Sequence, residues 1–169
     1  MSGAPAGFRR FRMREKLVSF GDDYRVEDDD GNAAFVVNGK AMRVRDTLDI
    51  EDLHGRTLLK LKTKVMHIHD TMDIDDPSGH RVARVQKAII TPLRERFTVD
   101  VEGGHELKAK GRITDHNYTI KSGNVEVATI DKKWFRIADT YGVEIADNAD
   151  VPLILAVVVA IDEIAHPAK

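Results

Sequence analysis

Hydrophobic and polar residues alternate along most of the chain with a period of two. Leu48 and Ile50 alternate with polar residues, as do Met72 and Ile74 24 residues later. A period of two places successive side chains on opposite faces of a β-strand. Short turn signals separate these segments, and such loops join antiparallel neighbours. These signals lie at residues 28–32, 52–55, 76–79, 102–104 and 121–124. The pattern therefore predicts half-buried strands that are joined as hairpins.

One segment recurs along the chain. The stretch RVRDTLDIEDLHG at 43–55 returns as HIHDTMDIDDPSG at 67–79 and as RIADTYGVEIADN at 136–148. The same phase continues through six repeats, which are also marked by lysines at intervals of 24, 24, 23, 23 and 23 residues. These lysines are Lys16, Lys40, Lys64, Lys87, Lys110 and Lys133. A fixed period of this kind indicates repeated supersecondary units, and each unit is interpreted as a hairpin.

Six hairpins predict about twelve strands in a meander. A propeller blade takes about 40–45 residues, so this chain would form only about three blades, and a closed antiparallel β-barrel is favoured. The strand side chains alone do not fill the lumen of a barrel this wide. Residues 151–166 are apolar on every side at their start, which predicts a buried hydrophobic C-terminal α-helix inside the barrel. The alternative is a buried strand, because Val157, Val158 and Val159 are β-branched.

Composition limits the classes of function. The 169 residues, 42% of them hydrophobic, fit one domain. We assign 1–12 to a flexible basic N-terminal tail and 13–169 to the barrel domain. The absence of cysteine excludes disulfides and thiolate chemistry and suits a reducing cytoplasm. A net charge of −2 gives no general attraction to nucleic acid, so no nucleic-acid partner is predicted. We expect a cytoplasmic protein, with peripheral attachment to a membrane as an alternative.

Five segments carry a resemblance to a known family. They are MREKLVSFGDDYRVEDDDG (13–31), VRDTLDIED (44–52), IHDTMDIDD (68–76), KKWFRIADTYGVEIAD (132–147) and LILAVVVAIDEIAH (153–166). Together they resemble the LURP-one-related branch of the tubby C-terminal-like superfamily. The resemblance implies a twelve-stranded barrel around a hydrophobic C-terminal helix. Tubby domains bind phosphoinositides and scramblases act at membranes, whereas LURP-one-related proteins have no agreed biochemical activity.

The sequence contains no recognisable catalytic motif, and no catalytic residue, metal or cofactor is predicted. His67 and His69 lie two residues apart on a predicted strand, as metal ligands do. The repeat aligns them with cationic or small residues, which favours surface histidines. Acidic clusters at 28–30 and 73–76 are interpreted as solvated hairpin turns rather than calcium loops. The first hypothesis is therefore a non-enzymatic binding or scaffold module for an unidentified protein or small-molecule partner, with an unrecognised enzyme as the less favoured class.

Cationic residues suggest a different partner, an anionic phospholipid or phosphoinositide surface. Five of them interleave with apolar residues in FRRFRMREK at 8–16, a composition typical of weak attachment to anionic lipid. The periodic lysines are expected at a similar height around the barrel, where they either hold an anion or extend outward to solvent. The candidate contacts are Arg9, Arg10, Arg12, Arg14, Lys16, Lys40, Lys64, Lys87, Lys110 and Lys133.

Overall fold

The barrel contains twelve strands that pair in sequence order. A computed structural model describes residues 7–14, 23–39, 47–63, 71–88, 95–134 and 140–165. The strands are β1 (Phe8–Arg14), β2 (Tyr24–Asp28), β3 (Ala33–Asn38), β4 (Thr47–Glu51), β5 (Thr57–Thr63), β6 (Thr71–Asp75), β7 (Arg81–Lys87), β8 (Glu95–Val101), β9 (Leu107–Arg112), β10 (Asn117–Ser122), β11 (Val125–Asp131) and β12 (Thr140–Ala146). Each pairs antiparallel with its sequence neighbours, and β12 closes the barrel against β1. The structure confirms the predicted closed antiparallel barrel.

Alternating burial separates an apolar inner face from a polar outer face. In β4, Leu48 and Ile50 are buried in the core, while Asp49 and Glu51 keep partial solvent contact. All twelve strands contribute buried apolar side chains to a single hydrophobic cluster. The two-residue period of the sequence therefore specifies the register, because a slip of one residue would turn the apolar set outward.

Three hairpin turns share one hydrogen-bonding arrangement. In the first, the Oδ1 atom of Asp28 accepts the backbone N–H groups of Asp30 and Asn32, and Gly31 adopts a φ of +84°. The turns that begin at Asp52 and Asp76 repeat this arrangement. An aspartate followed three residues later by glycine therefore forms the tight end of each hairpin, because glycine adopts a positive φ without steric strain.

The C-terminal helix α1 spans Val151–Ala165 and lies inside the barrel. It begins after Asp150, whose Oδ1 atom accepts the N–H of Leu153 at 3.2 Å. Every residue from Ile154 to Asp162 is buried. The structure therefore confirms the predicted helix rather than the alternative buried strand. The β-branched valines are tolerated because burial on all sides outweighs their weak helix propensity.

The barrel wall begins earlier than the predicted domain boundary at residue 13. Phe8–Arg14 form β1, and Phe8 and Ala146 face each other in the pairing with β12. Arg9, Arg10 and Arg12 consequently belong to the barrel wall rather than to a tail. The tail was predicted because the arginines mask the two-residue alternation of Phe11 and Met13, both of which are buried. Among the described residues, no helix has the length and apolar character needed to cross a membrane.

Substitution of Leu155 tests whether α1 supports the barrel. The side chain of Leu155 is fully buried, so Leu155→Asp places an unpaired carboxylate in the core and should lower the free energy of unfolding by at least about 3 kcal/mol. Leu53 is 54% exposed in a hairpin turn, and Leu53→Asp should change it by less than about 0.5 kcal/mol. Chemical denaturation measures both. A truncation after residue 150 that still unfolds cooperatively would contradict the supporting role of the helix.

Candidate binding surface

The barrel interior is occupied by α1 and by the inner faces of the strands. Leu155, Val157, Val158 and Val159 of the helix belong to the same buried cluster as the inward side chains of all twelve strands. The helix contacts β5, β6, β7 and the 3-10 turn Ile113–Asp115. The described interior is therefore a packed core.

One buried polar cluster lies where the last turns of α1 meet the loop between β9 and β10. His116 Nε2 lies 2.9 Å from Asp162 Oδ1, and both side chains are almost fully buried. The imidazole ring stacks on Tyr141, with ring centroids 4.2 Å apart and an interplanar angle of 24°. Burial raises the pKa of Tyr118 well above its usual value, and the nearby Asp162 raises it further. The cluster joins the helix to the barrel wall.

The backbone of the β9–β10 connection is shaped to place His116. A 3-10 turn covers Ile113–Asp115, and the N–H of His116 donates to the carbonyl of Ile113 at 3.1 Å. His116 itself has the left-handed conformation, with φ 50° and ψ 47°, which is uncommon for a residue other than glycine. At Gly111 a Cβ atom would lie 2.5 Å from the carbonyl oxygen of Asn117, so only glycine fits there.

The His116–Asp162 pair did not emerge from the sequence patterns. Asp162 is the first charged residue after the apolar run 151–161. A carboxylate buried at the end of such a run needs a polar partner, and this need was the one signal of the pair in the sequence. His116 lies 46 residues earlier, within the repeat copy DHNYTIKSG, and nothing in that repeat links it to Asp162. Only the chain path through the barrel brings them together.

The N-terminal arginines do not form a uniform cationic patch. Arg10 donates from Nη2 to Glu144 Oε1 at 3.2 Å and lies over the ring of Trp134, 4.7 Å from its centroid. Arg12 donates to Glu27 at 3.1 Å. Arg9 and Arg14 are exposed, and the Arg9 guanidinium lies 5.2 Å from the centroid of the Phe11 ring. Glutamates therefore compensate the charges of two of the four arginines, Arg10 and Arg12.

The three periodic lysines that the structure describes share one end of the barrel but do not point in one direction. Lys87 ends β7 on the strand's inward phase, and its Nζ lies 3.9 Å from Glu95 Oε1. Lys110 is exposed on the outer face of β9, and Lys133 is exposed in a 3-10 turn after β11. Lys16, Lys40 and Lys64 lie outside the described residues. The three described lysines therefore do not line a common belt.

The acidic clusters take part in local structure. Asp28 and Asp76 accept the turn hydrogen bonds, and contacts with Ser78 and His80 lower the pKa of Asp76. Asp73 accepts two hydrogen bonds from Arg84 at 2.6 and 3.1 Å. His67 and His69, the candidate metal pair, lie outside the described residues. Within the described part of the chain, no three His, Asp or Glu side chains are grouped for a metal ion.

Opposite charges alternate across the outer wall from β4 to β7. Asp49 faces Lys60 in register, and burial raises the Asp49 pKa, with Lys60 opposing this shift. Lys62 Nζ lies 3.0 Å from Asp75 Oδ2 on the next strand. Arg84 of β7 then pairs with Asp73. In this sector Lys62 and Arg84 form salt bridges with Asp75 and Asp73, and Asp49 and Lys60 face each other in register.

The outer wall of β8, β9 and β10 carries a different arrangement. Five exposed cations project from these neighbouring strands, and we call this set the basic face: Arg96, Lys108, Lys110, Arg112 and Lys121. Cations face cations in the strand pairing, Arg96 opposite Lys110 and Lys108 opposite Lys121. Among the described residues, the one carboxylate within 4 Å of these five cations is Glu106, which lies 3.7 Å from Lys108. Sequence analysis selected only Lys110 of these five, because strand register decides which cations become neighbours.

Arg10 is expected to stabilise the barrel rather than bind a partner. Arg10→Gln leaves the buried carboxylate of Glu144 without its cation and should lower the free energy of unfolding by about 3 kcal/mol. Arg9→Gln, one residue away and exposed, should change it by less than about 0.5 kcal/mol. Urea denaturation compares the two variants, and equal losses of stability would contradict the distinction.

A double-mutant cycle measures the coupling of His116 with Asp162. Asparagine tolerates the left-handed backbone, so His116→Asn removes the imidazole with little backbone strain. Combined with Asp162→Asn, the cycle should give a coupling energy of at least about 1 kcal/mol, because the contact is buried. Additive losses, with coupling below about 0.5 kcal/mol, would show that the pair does not anchor the helix.

Comparison with known proteins agrees with this architecture. Among solved structures, a protein of Arabidopsis thaliana determined by X-ray crystallography superposes with a TM-score of 0.70 over 94% of this chain and 92% of that one. At 16% sequence identity this likeness shows the fold alone. A search of curated proteins finds no match. The family model described as LURP-one-related matches residues 9–162, so this chain belongs to the LURP-one-related family.

Proposed function

We propose that the protein is a non-enzymatic binding or scaffold module that contacts its partner through the outer wall of the barrel. The observation that carries this proposal is the packing of α1 in the lumen, where its buried residues share one apolar cluster with every strand. A ligand cavity inside the barrel would require the helix to leave, at the expense of that core. The outer wall is the surface that remains for recognition.

The buried polar groups support a structural role. His116 and Asp162 have the residue types of an acid–base pair, but only 5% and 6% of their side-chain surfaces are exposed. A substrate would have to displace packed core residues to reach them. Their contact therefore serves the attachment of the helix rather than proton transfer to a bound molecule.

A second candidate is attachment to an anionic phospholipid surface. It is supported by the basic face, where cations outnumber the carboxylates beside them. The N-terminal segment supports it less strongly than expected, because Arg10 and Arg12 are paired with glutamates. Peripheral attachment at a cytoplasmic membrane surface is consistent with this candidate.

Turnover and metal content test the non-enzymatic proposal. Purified protein should show no more activity in a broad hydrolase screen than the same preparation after heat unfolding, which serves as a contamination control. Elemental analysis should find metal well below one ion per chain. Saturable turnover that disappears with unfolding, or stoichiometric metal, would overturn the proposal.

A further inference from the structure

Repulsion between the like charges of the basic face lowers the stability of the unbound protein. Like charges directly opposite each other on neighbouring strands destabilise a sheet, and here Arg96 faces Lys110 while Lys108 faces Lys121. The adjoining sector shows that this barrel accommodates alternating charge, since Arg84 is bonded to Asp73. The repulsion is relieved when an external anion covers the face.

Nearby carboxylates neutralise the basic face only in part. Glu106 is half exposed and lies 3.7 Å from Lys108, a distance typical of a weak surface pair. Glu126 faces Lys121 in register, and its Oε1 also accepts a hydrogen bond from the Thr129 hydroxyl. Glu106 and Glu126 therefore offset the charges of two of the five cations. At least three of the five cations are therefore available to an anion.

We propose that the basic face docks on the surface of an anionic phospholipid bilayer, an inference that rests on the proposed binding function. Lys108, Lys110 and Arg112 occupy alternate positions of β9 and project to the same side. At about 3.4 Å per residue they form a row of roughly 14 Å, with Arg96 and Lys121 about 5 Å to either side. A row along the convex barrel wall meets a flat charged surface along its whole length.

Three features favour a bilayer over a nucleic acid. The outward positions of β8, β9 and β10 carry no aromatic side chain on which a base would stack. Three of the five cations are lysines. The lysine ammonium is a point charge on a flexible side chain, which suits a fluid array of lipid headgroups better than the rigid, planar guanidinium of arginine does. Val125, which pairs with Ser122 next to Lys121, is 65% exposed at this end of the β10–β11 hairpin, and an exposed apolar side chain is a feature of interfacial membrane contacts.

Vesicle co-sedimentation of the full chain tests the proposal. Wild-type protein should bind vesicles of phosphatidylcholine mixed with phosphatidylserine at about 0.1 M salt, but not vesicles of phosphatidylcholine alone. At about 1 M salt, where charges are screened beyond about 3 Å, binding should be lost. The variant Lys108→Gln/Lys110→Gln/Lys121→Gln should lower the partition coefficient by about 100-fold. Its thermal midpoint should equal or exceed that of wild type, because like-charge pairs have been removed.

A matched control distinguishes the effect of charges on the basic face from the effect of the protein's net charge. Arg25→Gln/Arg56→Gln/Arg81→Gln also removes three positive charges, from exposed positions outside the basic face, and should bind within about threefold of wild type. Equal losses in both variants, or absence of wild-type binding to anionic vesicles, would overturn the proposal. Face-dependent binding of polyuridylate without vesicle binding would also overturn it and assign the face to nucleic acid. Turnover and metal content are measured separately, so the lipid proposal can fail while the binding function stands.

Discussion

A lumen too wide for strand side chains to fill is the constraint on which the rest of this structure depends. Side chains from about eight strands fill a barrel, whereas twelve leave a space that must hold something else. Helix α1 fills it, and for that reason its first eleven residues include no charged side chain. The same constraint fixes the inner faces of the strands, because each must present apolar atoms at the distance set by the helix.

Apolar packing alone leaves the depth of the helix poorly defined, because hydrophobic contact has no preferred direction. The two ends of α1 supply directional contacts. At the start, Asp150 caps the first turn through the N–H of Leu153. Near the end, Asp162 meets His116 from the β9–β10 connection. The left-handed backbone of His116 and the close approach at Gly111 show that this connection is shaped for the contact.

The sequence predicted the architecture well because its main signals are local. The alternation of Leu48 and Ile50 with polar neighbours specifies a strand without knowledge of its partners, and the apolar run 151–161 specifies full burial. The start of β1 was missed because arginines interrupt the alternation, and register with β12 shows Arg10 opposite Glu144, 134 residues away. The basic face and the His116–Asp162 pair were missed because both depend on contacts between residues that are far apart in the sequence, and no local pattern records such contacts.

The outer face of the barrel is not constrained by the packing of the lumen, so it is the part of the wall to examine for function. The Arabidopsis structure has the same fold at 16% identity, and fold alone does not specify a partner. Outer-face positions are free of that packing and differ between sectors of this barrel. From β4 to β7 opposite charges meet, as Lys62 meets Asp75. From β8 to β10 like charges meet, at the expense of stability in the free protein. Folds are only marginally stable, and this repulsion contributes nothing to the stability of the barrel, which is why we propose that a partner binds at this sector.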